Sequence, residues 1–504
     1  MRNVAISLAL FLILCHPAAG RAEEEPSKQR TVKLTLQEAI LLTLSNNIDI
    51  KVERLLPQIA QTDIEAEESV FDPAVTTEIS KQVSRQQSEV AVFLTGSPEP
   101  FQNNIDINAG LEKKLKTGAR AALRFENNRL RSNSFVQQFN PSWSTDFTLS
   151  VIQPLLKDFG RQFNLGPIVI AKNNKSISDL QFRKRVIDIV TAVKEAYWDL
   201  VLALELLDVS KQAVRQAKEL EEINRAKVEV GQLAPIDVIE AEAGVAGREE
   251  VVILDEDRIG DVEDRLKALL NPNGGVALLA VSVIPADRPM DGEVRFSLAR
   301  EIDTALKNRP DYLQTKTELG NRLVSVKLAK NQVLPRVDLV ASAGLNGLGG
   351  KYEDAFREMD GDFYDLRIGL RFEYALGNRA AKSRLVRRKL EQQQVELRIS
   401  DLEKNISLEV REGIRQVETD FKRIRTTRVA RRLAEKKLEA EQAKHDVGIA
   451  TTKDVLDFQF DLAFARSRES RALIDYNNSL VRLYQRLGTT LEQNDITAEM
   501  LEKG

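Results

Sequence analysis

Two long stretches of the chain repeat apolar residues at the spacing of helices that pack side by side. From Val193 to Leu207 the apolar positions are separated by 4, 3, 4 and 3 residues, and from Ile399 to Ile424 by about 3.6 residues on average. Each stretch belongs to a much longer segment that holds no proline beyond Pro167, near the start of the first segment. With roughly 67 residues per segment at ~1.5 Å each, the pattern predicts two helices about 100 Å long.

Elsewhere apolar residues alternate with polar or small ones, which is typical of strands. The alternation is clear at 336–346, 364–375 and 147–151, and weaker at 75–79. Strands of about 9 to 10 residues with one apolar face fit a transmembrane β-barrel with a wet lumen, and they also fit a soluble sheet resting on a core. Four strands are too few to close a water-filled barrel, so chains would have to pool their strands, and three chains would supply twelve.

The chain consists of two similar halves. Residues 35–50 align with 297–312 at an offset of 262, and the match resumes between 160–270 and 377–487 at an offset of 217. Each half is therefore predicted to contain a helix, strands, a very long helix, a sharp turn and a further helix. The predicted divisions are a first repeat at 23–270, a linker at 271–296, a second repeat at 297–490 and a C-terminal tail at 491–504.

The offsets of 262 and 217 differ by 45, so the first half carries 45 additional residues among its strands. They fall within 84–142 and include a further predicted hairpin, formed by Ile105–Leu115 and Ala119–Asn127 around the turn Lys116–Ala119. This hairpin either lengthens the barrel or projects outside the cell, and the sequence leaves both alternatives open.

The first 22 residues have the features of a secretory signal peptide. Arg2 supplies the positive charge, Val4–Leu14 the apolar run, and small residues a cleavage site near Gly20–Ala22. Cys15 is the only cysteine. A lipoprotein site at Cys15 is disfavoured, because Leu14 is bulky where a small residue is wanted.

Composition excludes several classes of function. Beyond residue 22 there are 71 basic and 76 acidic residues, a mildly acidic balance that does not suggest nucleic acid as a partner. No segment there has about 18 uninterrupted apolar residues, so no membrane-spanning helix is predicted. His445 is the only histidine outside the signal, which almost excludes a histidine-based metal site or a Ser-His-Asp triad. We favour a solvated surface position for His445 over a titrating role.

Two sharp turns, 230–237 and 447–454, follow the long helical patterns at corresponding positions. Each contains a Val-Gly pair and an aspartate six residues after the glycine. Glycine suits such a helix end because it adopts the left-handed conformation at little cost. An aspartate in the first turn of the next helix stabilises the helix dipole. The matched residues are Val230 and Val447, Gly231 and Gly448, and Asp237 and Asp454.

Besides the two turns, the chain carries the segments LTLQEAILLTLSNN (Leu34–Asn47), FDPAV (Phe71–Val75), QPLLKDFGR (Gln153–Arg161) and AYWDLVLA (Ala196–Ala203). Together with the turns, and in this order, they resemble the TolC family of outer-membrane efflux proteins. The resemblance implies an α+β membrane protein in which each protomer gives four strands to a trimeric twelve-stranded β-barrel, continued by a long periplasmic α-helical barrel. It implies a homotrimeric exit duct in the outer membrane of a Gram-negative-type cell, in contact with lipid and working with a periplasmic adaptor and an inner-membrane pump for efflux or type I secretion. It also implies no enzymatic activity and no required cofactor.

By this resemblance the turns are periplasmic tips at which the adaptor docks and the pore narrows. Asp454 and Asp457 match the aspartates of the family's constriction, and Asp237 matches the aspartate of the other tip. Their i, i+3 spacing places Asp454 and Asp457 on one helix face, and a ring of three copies would favour cations. Stabilisation of a helix end is the alternative role for Asp454 and Asp237. The docking residues implied are Gly231, Gly448, Val230 and Val447.

The chain departs from the family at one position of the gate. Where a family arginine bridges the gate two residues after the glycine, the chain has Ala450. Lys453 is the only nearby basic candidate for a substitute bridge. A second hypothesis for the whole chain is a soluble periplasmic coiled-coil scaffold or adaptor-like protein, whose sheet would face a core.

Overall fold

The protein is represented by a computed structural model, which describes residues 30–85, 87, 99–270, 281–497 and 500–501. The predicted signal peptide and Cys15 lie outside the described residues, and so do residues 271–280 of the predicted linker. Within the described ranges, no helix is both long enough and apolar enough to cross a membrane.

Two long helical hairpins dominate the described chain. Helices α4 (Gly166–Glu229) and α9 (Arg379–Asp446) contain 64 and 68 residues, and at ~1.5 Å per residue each is about 100 Å long. The prediction of two very long helices is confirmed. The helices are α1 (Leu36–Asn46), α2 (Ile48–Glu68), α3 (Arg161–Asn164), α4 (Gly166–Glu229), α5 (Pro235–Leu270), α6 (Leu298–Asn308), α7 (Pro310–Gln332), α8 (Tyr352–Arg357), α9 (Arg379–Asp446) and α10 (Thr452–Leu487).

The apolar stripe of each long helix is buried against shorter helices. On α4, Val193, Tyr197 and Leu200 are fully shielded in a cluster that includes side chains of α1, α5 and α10. On α9, Ile406 and Val410 are fully shielded in a second cluster with α6, α7 and α10. Removing apolar surface from water stabilises a fold by about 25 cal/mol per Å². These stripes therefore hold the two hairpins together side by side.

A small parallel sheet joins the start of the first half to the linker. It pairs β1 (Arg30–Leu34) with β6 (Val281–Pro285). The Tyr197 hydroxyl on α4 lies 3.0 Å from the carbonyl oxygen of Leu34, to which it donates, and it accepts from the backbone N–H groups of Ala286 and Asp287 at 3.0 Å. Burial raises the pKa of Tyr197 to about 12, so the hydroxyl keeps its proton at neutral pH.

The main sheet has six antiparallel strands. In spatial order they are β2 (Ala74–Arg85), β3 (Phe101–Lys114), β4 (Arg120–Ser132), β5 (Ser142–Pro154), β7 (Arg336–Gly349) and β8 (Tyr364–Glu373). The α+β class is confirmed, but the predicted number of four strands per chain is wrong. The total of twelve for three chains, which depended on four, no longer follows.

The two additional strands are the hairpin predicted within the first half. Strands β3 and β4 lie between β2 and β5, so the hairpin widens the sheet and does not project from it. Its turn is fixed to the segment before α3, because the backbone N–H of Gly160 donates to the carbonyl oxygen of Thr117 at 3.0 Å. Gly118 in this turn has φ +97°, and an added Cβ would lie 2.5 Å from the carbonyl oxygen of Asp158. The hairpin is therefore packed closely onto the start of the helical part.

One face of the sheet is apolar and the other polar. On β8, Ile368 and Phe372 are 81% and 69% exposed, so the described chain places no core against this part of the apolar face. The scaffold hypothesis required such a core. One row of paired residues on the apolar face is Val75, Leu111, Leu123, Leu149, Ala343 and Leu366, and one row on the polar face is Glu78, Asn108, Glu126, Asp146 and Asn346.

Candidate functional site

The two tip turns have the same backbone geometry. Gly231 and Gly448 both have φ +76°. The residue after each glycine donates its N–H to a carbonyl five residues earlier, from Gln232 to Lys227 at 2.8 Å and from Ile449 to Lys444 at 2.9 Å. This pattern, with the glycine N–H bonded three residues back, is a Schellman helix end. The repeated Val-Gly pairs therefore end α4 and α9 in the same way.

Asp454 lies at the start of α10 in a capping box. Its carboxylate accepts from the hydroxyl of Thr451 at 2.6 Å and from the Thr451 backbone N–H at 2.9 Å, and its own N–H donates to the Thr451 hydroxyl. These bonds lower the pKa of Asp454, and the positive charges of Lys453 and Lys444 lower it further. The geometry is that of a helix-end stabiliser, and it keeps a half-exposed carboxylate ionised at the tip.

Asp237 joins the two hairpins. One carboxylate oxygen accepts from the Ala234 backbone N–H at 3.2 Å, and the other accepts from the Thr452 hydroxyl at 3.0 Å. Asn224 of α4 donates to the Thr452 hydroxyl at 2.9 Å and to the Asp237 carbonyl at 3.2 Å. Asn224 and Thr452 are fully shielded from solvent. This network, which we call the tip brace, connects α4, α5 and α10.

A second link lies beside the tip brace. Lys227 of α4 extends toward α9, where its amine lies 3.4 Å from the carbonyl oxygen of His445 and 3.6 Å from a carboxylate oxygen of Asp446. The expected solvated position of His445 is wrong, because only 4% of it is exposed. Burial, and secondarily the charge of Lys227, lowers the pKa of His445, against the opposing charges of Asp446 and Asp237. The imidazole is therefore held neutral between the hairpins.

Arg248 makes a third link, from α5 to α10. Its guanidinium donates to the carbonyl oxygens of Gly244 at 2.9 Å and Leu456 at 3.0 Å. Burial lowers its pKa, and the nearby carboxylate of Asp457 opposes that shift. Lys227 and Arg248 therefore both reach across helices within the chain, and the role of Lys453 as a bridge at the gate stays a prediction. Lys453 itself is exposed.

The outermost surface of the tips is apolar. Val230, Val447 and Ile449 are 69%, 70% and 77% exposed. Behind them a small cluster, Leu220, Leu438, Val455 and Leu462, packs the hairpins together. The tips therefore present aliphatic side chains on a braced support, with Asp457 exposed nearby.

Sequence reasoning identified the tip turns but missed Asn224, Lys227, Arg248 and Thr452. A signal for Asn224 was present, because it continues the spacing of the buried Ala217 and Leu220 on α4. A polar residue within an apolar stripe calls for a buried partner. Within the described ranges, no group of three or more His, Cys, Asp or Glu side chains could hold a metal ion.

Solved structures share this architecture. A membrane protein from Pseudomonas aeruginosa superposes with a TM-score of 0.67, at 16% identity, over 95% of this chain and 99% of that one. The outer membrane protein VceC from Vibrio cholerae superposes with a TM-score of 0.64, at 16% identity, over 90% of this chain and 96% of that one. At these identities the likeness establishes the fold.

Sequence comparison gives the family. Outer membrane protein TolC of Vibrio cholerae is 25% identical over 328 residues, which are 63% of this chain and 71% of that protein. A family model described as outer membrane efflux protein matches residues 39–272 and 302–489. These ranges cover most of the sequence, and the chain belongs to the outer membrane efflux protein family.

Proposed function

We propose that the chain is one protomer of a trimeric outer-membrane exit duct. The duct would pass substrates outward from a periplasmic adaptor and an inner-membrane pump, in tripartite efflux or type I secretion. Proteins of this family are transporters and not enzymes. In this proposal the six-stranded sheet lies in the outer membrane and the two hairpins extend through the periplasm.

The observation that carries the proposal is the combination of an amphipathic sheet with open edges and two helical hairpins about 100 Å long. From Val337 to Leu345 the apolar side of β7 extends about 26 Å along the strand at ~3.3 Å per residue. At a barrel tilt of about 35° this corresponds to a height of about 22 Å, comparable with the apolar band of about 25 Å in membrane barrels. An open sheet edge leaves backbone groups unpaired, which lipid does not tolerate. The sheet therefore needs further copies to close it.

Aromatic side chains at the end of the sheet far from the long helices also support this placement. Trp143 on β5 contacts Tyr352 on α8 at 5.8 Å between ring centroids, and Tyr352 contacts Phe356 at 6.1 Å. The guanidinium of Arg129 lies 5.8 Å from the Trp143 ring centroid. Tryptophan and tyrosine collect at membrane–water interfaces. This group would mark the outer boundary of the membrane.

At the other end, the apolar tips would dock the adaptor through Val230 and Val447, on turns shaped by Gly231 and Gly448. Asp454 and Asp457 would line the constriction as rings of negative charge. The capping box gives Asp454 its role at the helix end, and it leaves the carboxylate half-exposed and charged, so the two roles are compatible. The tip brace around Asp237 would hold the two hairpins of one protomer together while the constriction is closed.

The proposal is tested by how the protein is recovered from cells. We expect it in the outer-membrane fraction, extracted only with detergent and with the mass of three chains by light scattering corrected for bound detergent. Recovery in the soluble fraction as a single chain would exclude the duct and restore the scaffold hypothesis.

A further inference from the structure

The two edge strands of the sheet, β2 and β8, are complementary to each other. In the described chain each is hydrogen-bonded along one side only. We infer that β8 of one copy pairs with β2 of the next, so that three copies close an 18-stranded ring. This inference rests on the proposed trimeric membrane duct and specifies its membrane part.

The direction of the strands permits this pairing. The sheet contributes six strands, an even number, and neighbours alternate in direction throughout. Strands β2 and β8 therefore run in opposite directions. Placing β8 beside β2 of the next copy continues the antiparallel pattern around the ring, as closure in lipid requires.

The internal repeat specifies the register. In the structure β5 pairs with β7, with Val151 opposite Ala341. The repeat offset of 217 relates Val151 to Ile368 on β8, and the offset of 262 relates Ala341 to Ile79 on β2. The corresponding pair between copies is therefore Ile368 with Ile79. The same register places Glu373 opposite Ala74, so the helix-proximal ends of the two strands are level.

The side chains agree with that register. Ile368 and Ile79 are 81% and 78% exposed in the single chain, and they would share the apolar face. On the polar face, Glu78 would lie opposite Gly369, between Arg367 and Arg371 on diagonal positions. Opposite charges at such positions stabilise a pair of strands. A slip of one residue would move every apolar side chain to the wrong face.

The closed ring also has a normal strand tilt. The apolar row that begins at Val75 crosses six strands to Leu366, and it continues to Lys81 of the next copy, six residues beyond Val75. Six residues at ~3.3 Å, over six strands spaced ~4.8 Å, give a tilt of about 35°, within the range of known barrels. The tilt was not used to choose the register, so it supports the register independently.

The consequence is a wide opening in the membrane. Barrel diameter grows roughly linearly with strand number, so 18 strands give about 1.5 times the diameter of twelve. Barrels of about 16 to 18 strands leave an aqueous channel. The outer-membrane part would then admit bulkier solutes than a twelve-stranded ring, and selection by size would occur at the tips.

Cysteine pairs built on one shared position test the strand number. Ile79→Cys is combined with Ile368→Cys, with Ile107→Cys, or with Val151→Cys, and each variant is treated in membranes with a short bifunctional thiol reagent. Ile107 faces Ile79 in the structure. Ala341 lies opposite Ile368 in the structure, and the repeat maps this pair onto Ile79 and Val151. Ile79 and Val151 would face each other only if the β3–β4 hairpin lay outside the ring. All these side chains lie on the apolar face.

We expect Ile79→Cys with Ile368→Cys to give a covalent trimer, and Ile79→Cys with Ile107→Cys to link within one chain. The Val151→Cys combination should stay unlinked. A covalent link between Ile79→Cys and Val151→Cys would overturn the 18-stranded ring. An intact trimer in which Ile79→Cys and Ile368→Cys do not link would overturn the pairing of the two edge strands. Trimer mass and conductance of the same samples report separately on the duct. If a variant does not assemble, electron cryomicroscopy of the natural protein gives the number of strands directly. Eighteen strands would support the inference, and twelve would overturn it.

Discussion

At the scale of single residues, the tip turns need glycine for its backbone conformation alone. No atom lies within 4 Å of the position that a Cβ would take at Gly448, so a side chain there meets open space. The cost of a side chain comes from φ +76°, where residues other than glycine lose about 1 to 2 kcal/mol. The turn therefore depends on glycine for its backbone and not for close packing.

Gly448→Ala should loosen this turn by about 1 kcal/mol, which corresponds to about fivefold faster amide exchange. The amide to follow is Ile449, which donates to Lys444 at 2.9 Å. Gly247→Ala is the matched control, because Gly247 lies inside α5 and also has nothing within 4 Å of its Cβ position. The control should leave exchange unchanged or slower. Equal effects of the two substitutions would show that the left-handed backbone does not matter.

His445 should make the tips sensitive to mild acid. Its pKa is lowered in the closed tip by burial and by Lys227, whereas an exposed imidazole titrates near its ordinary value of about 6.5. Above that value both forms are neutral and closure is fully stable. As the pH falls below it, the open form takes up a proton that the closed form resists, so closure weakens.

We expect amide exchange at the tips to accelerate between about pH 7.5 and about pH 5.5, after correction for the intrinsic rate. His445→Gln should remove most of that acceleration. If the variant and the natural chain show the same pH dependence, His445 is not the group responsible.

The proposed rings of Asp454 and Asp457 are tested by blocking the channel. Asp454→Ala combined with Asp457→Ala should weaken block of the current by multivalent cations, because the negative charge at the constriction is lost. Glu219→Ala with Glu222→Ala removes the same charge, at the same spacing, from exposed positions on α4, and should leave the block nearly unchanged. Unchanged block in the aspartate variant would remove the gate assignment and leave the duct intact.

Local interactions at this scale could be predicted from sequence, and distant ones could not. The helix-end role of Asp454 follows from its spacing to Thr451, three residues away. The bond from Asn224 to Thr452 joins positions 228 residues apart. No short pattern identifies that pairing, although a buried asparagine signals that a partner exists.

At the scale of elements, the periodicity of apolar residues predicted each long helix and the alternating pattern predicted the strands. The predicted segments 336–346 and 364–375 correspond to β7 and β8. The position of the β3–β4 hairpin was left open, because alternation shows which face a residue occupies but not which strand lies beside it. Pairing with both β2 and β5 gives that information only in three dimensions.

The tip brace should couple the two hairpins. Thr452→Val keeps the shape of the side chain but leaves Asp237 and the buried Asn224 amide each short of a partner, at a cost of about 1 to 3 kcal/mol. We expect the spin-label distance distribution between α5 and α10 near the tips to broaden. Thr426→Val on α9 is the control, since its exposed hydroxyl bonds only to Lys422 of the same helix. Equal distributions in both variants would contradict a coupling role.

At the scale of the whole molecule, one chain is an incomplete object. Its sheet has two open edges and exposed apolar side chains on β8. Its long helices bury one apolar stripe each within the chain, but they leave other apolar side chains exposed, among them Leu390 and Leu397 on α9 and Phe460 on α10. Both parts therefore call for neighbouring copies, which fits a membrane ring that carries a long periplasmic tube.

The most direct measurement is the current through a planar lipid bilayer after addition of the detergent-purified protein, for the natural chain and for Thr452→Val. We expect discrete conductance steps from both, with longer open times in the variant because the tip brace is weakened. Folded, trimeric protein that inserts and gives no steps in either form would contradict the proposal that this chain builds an exit duct.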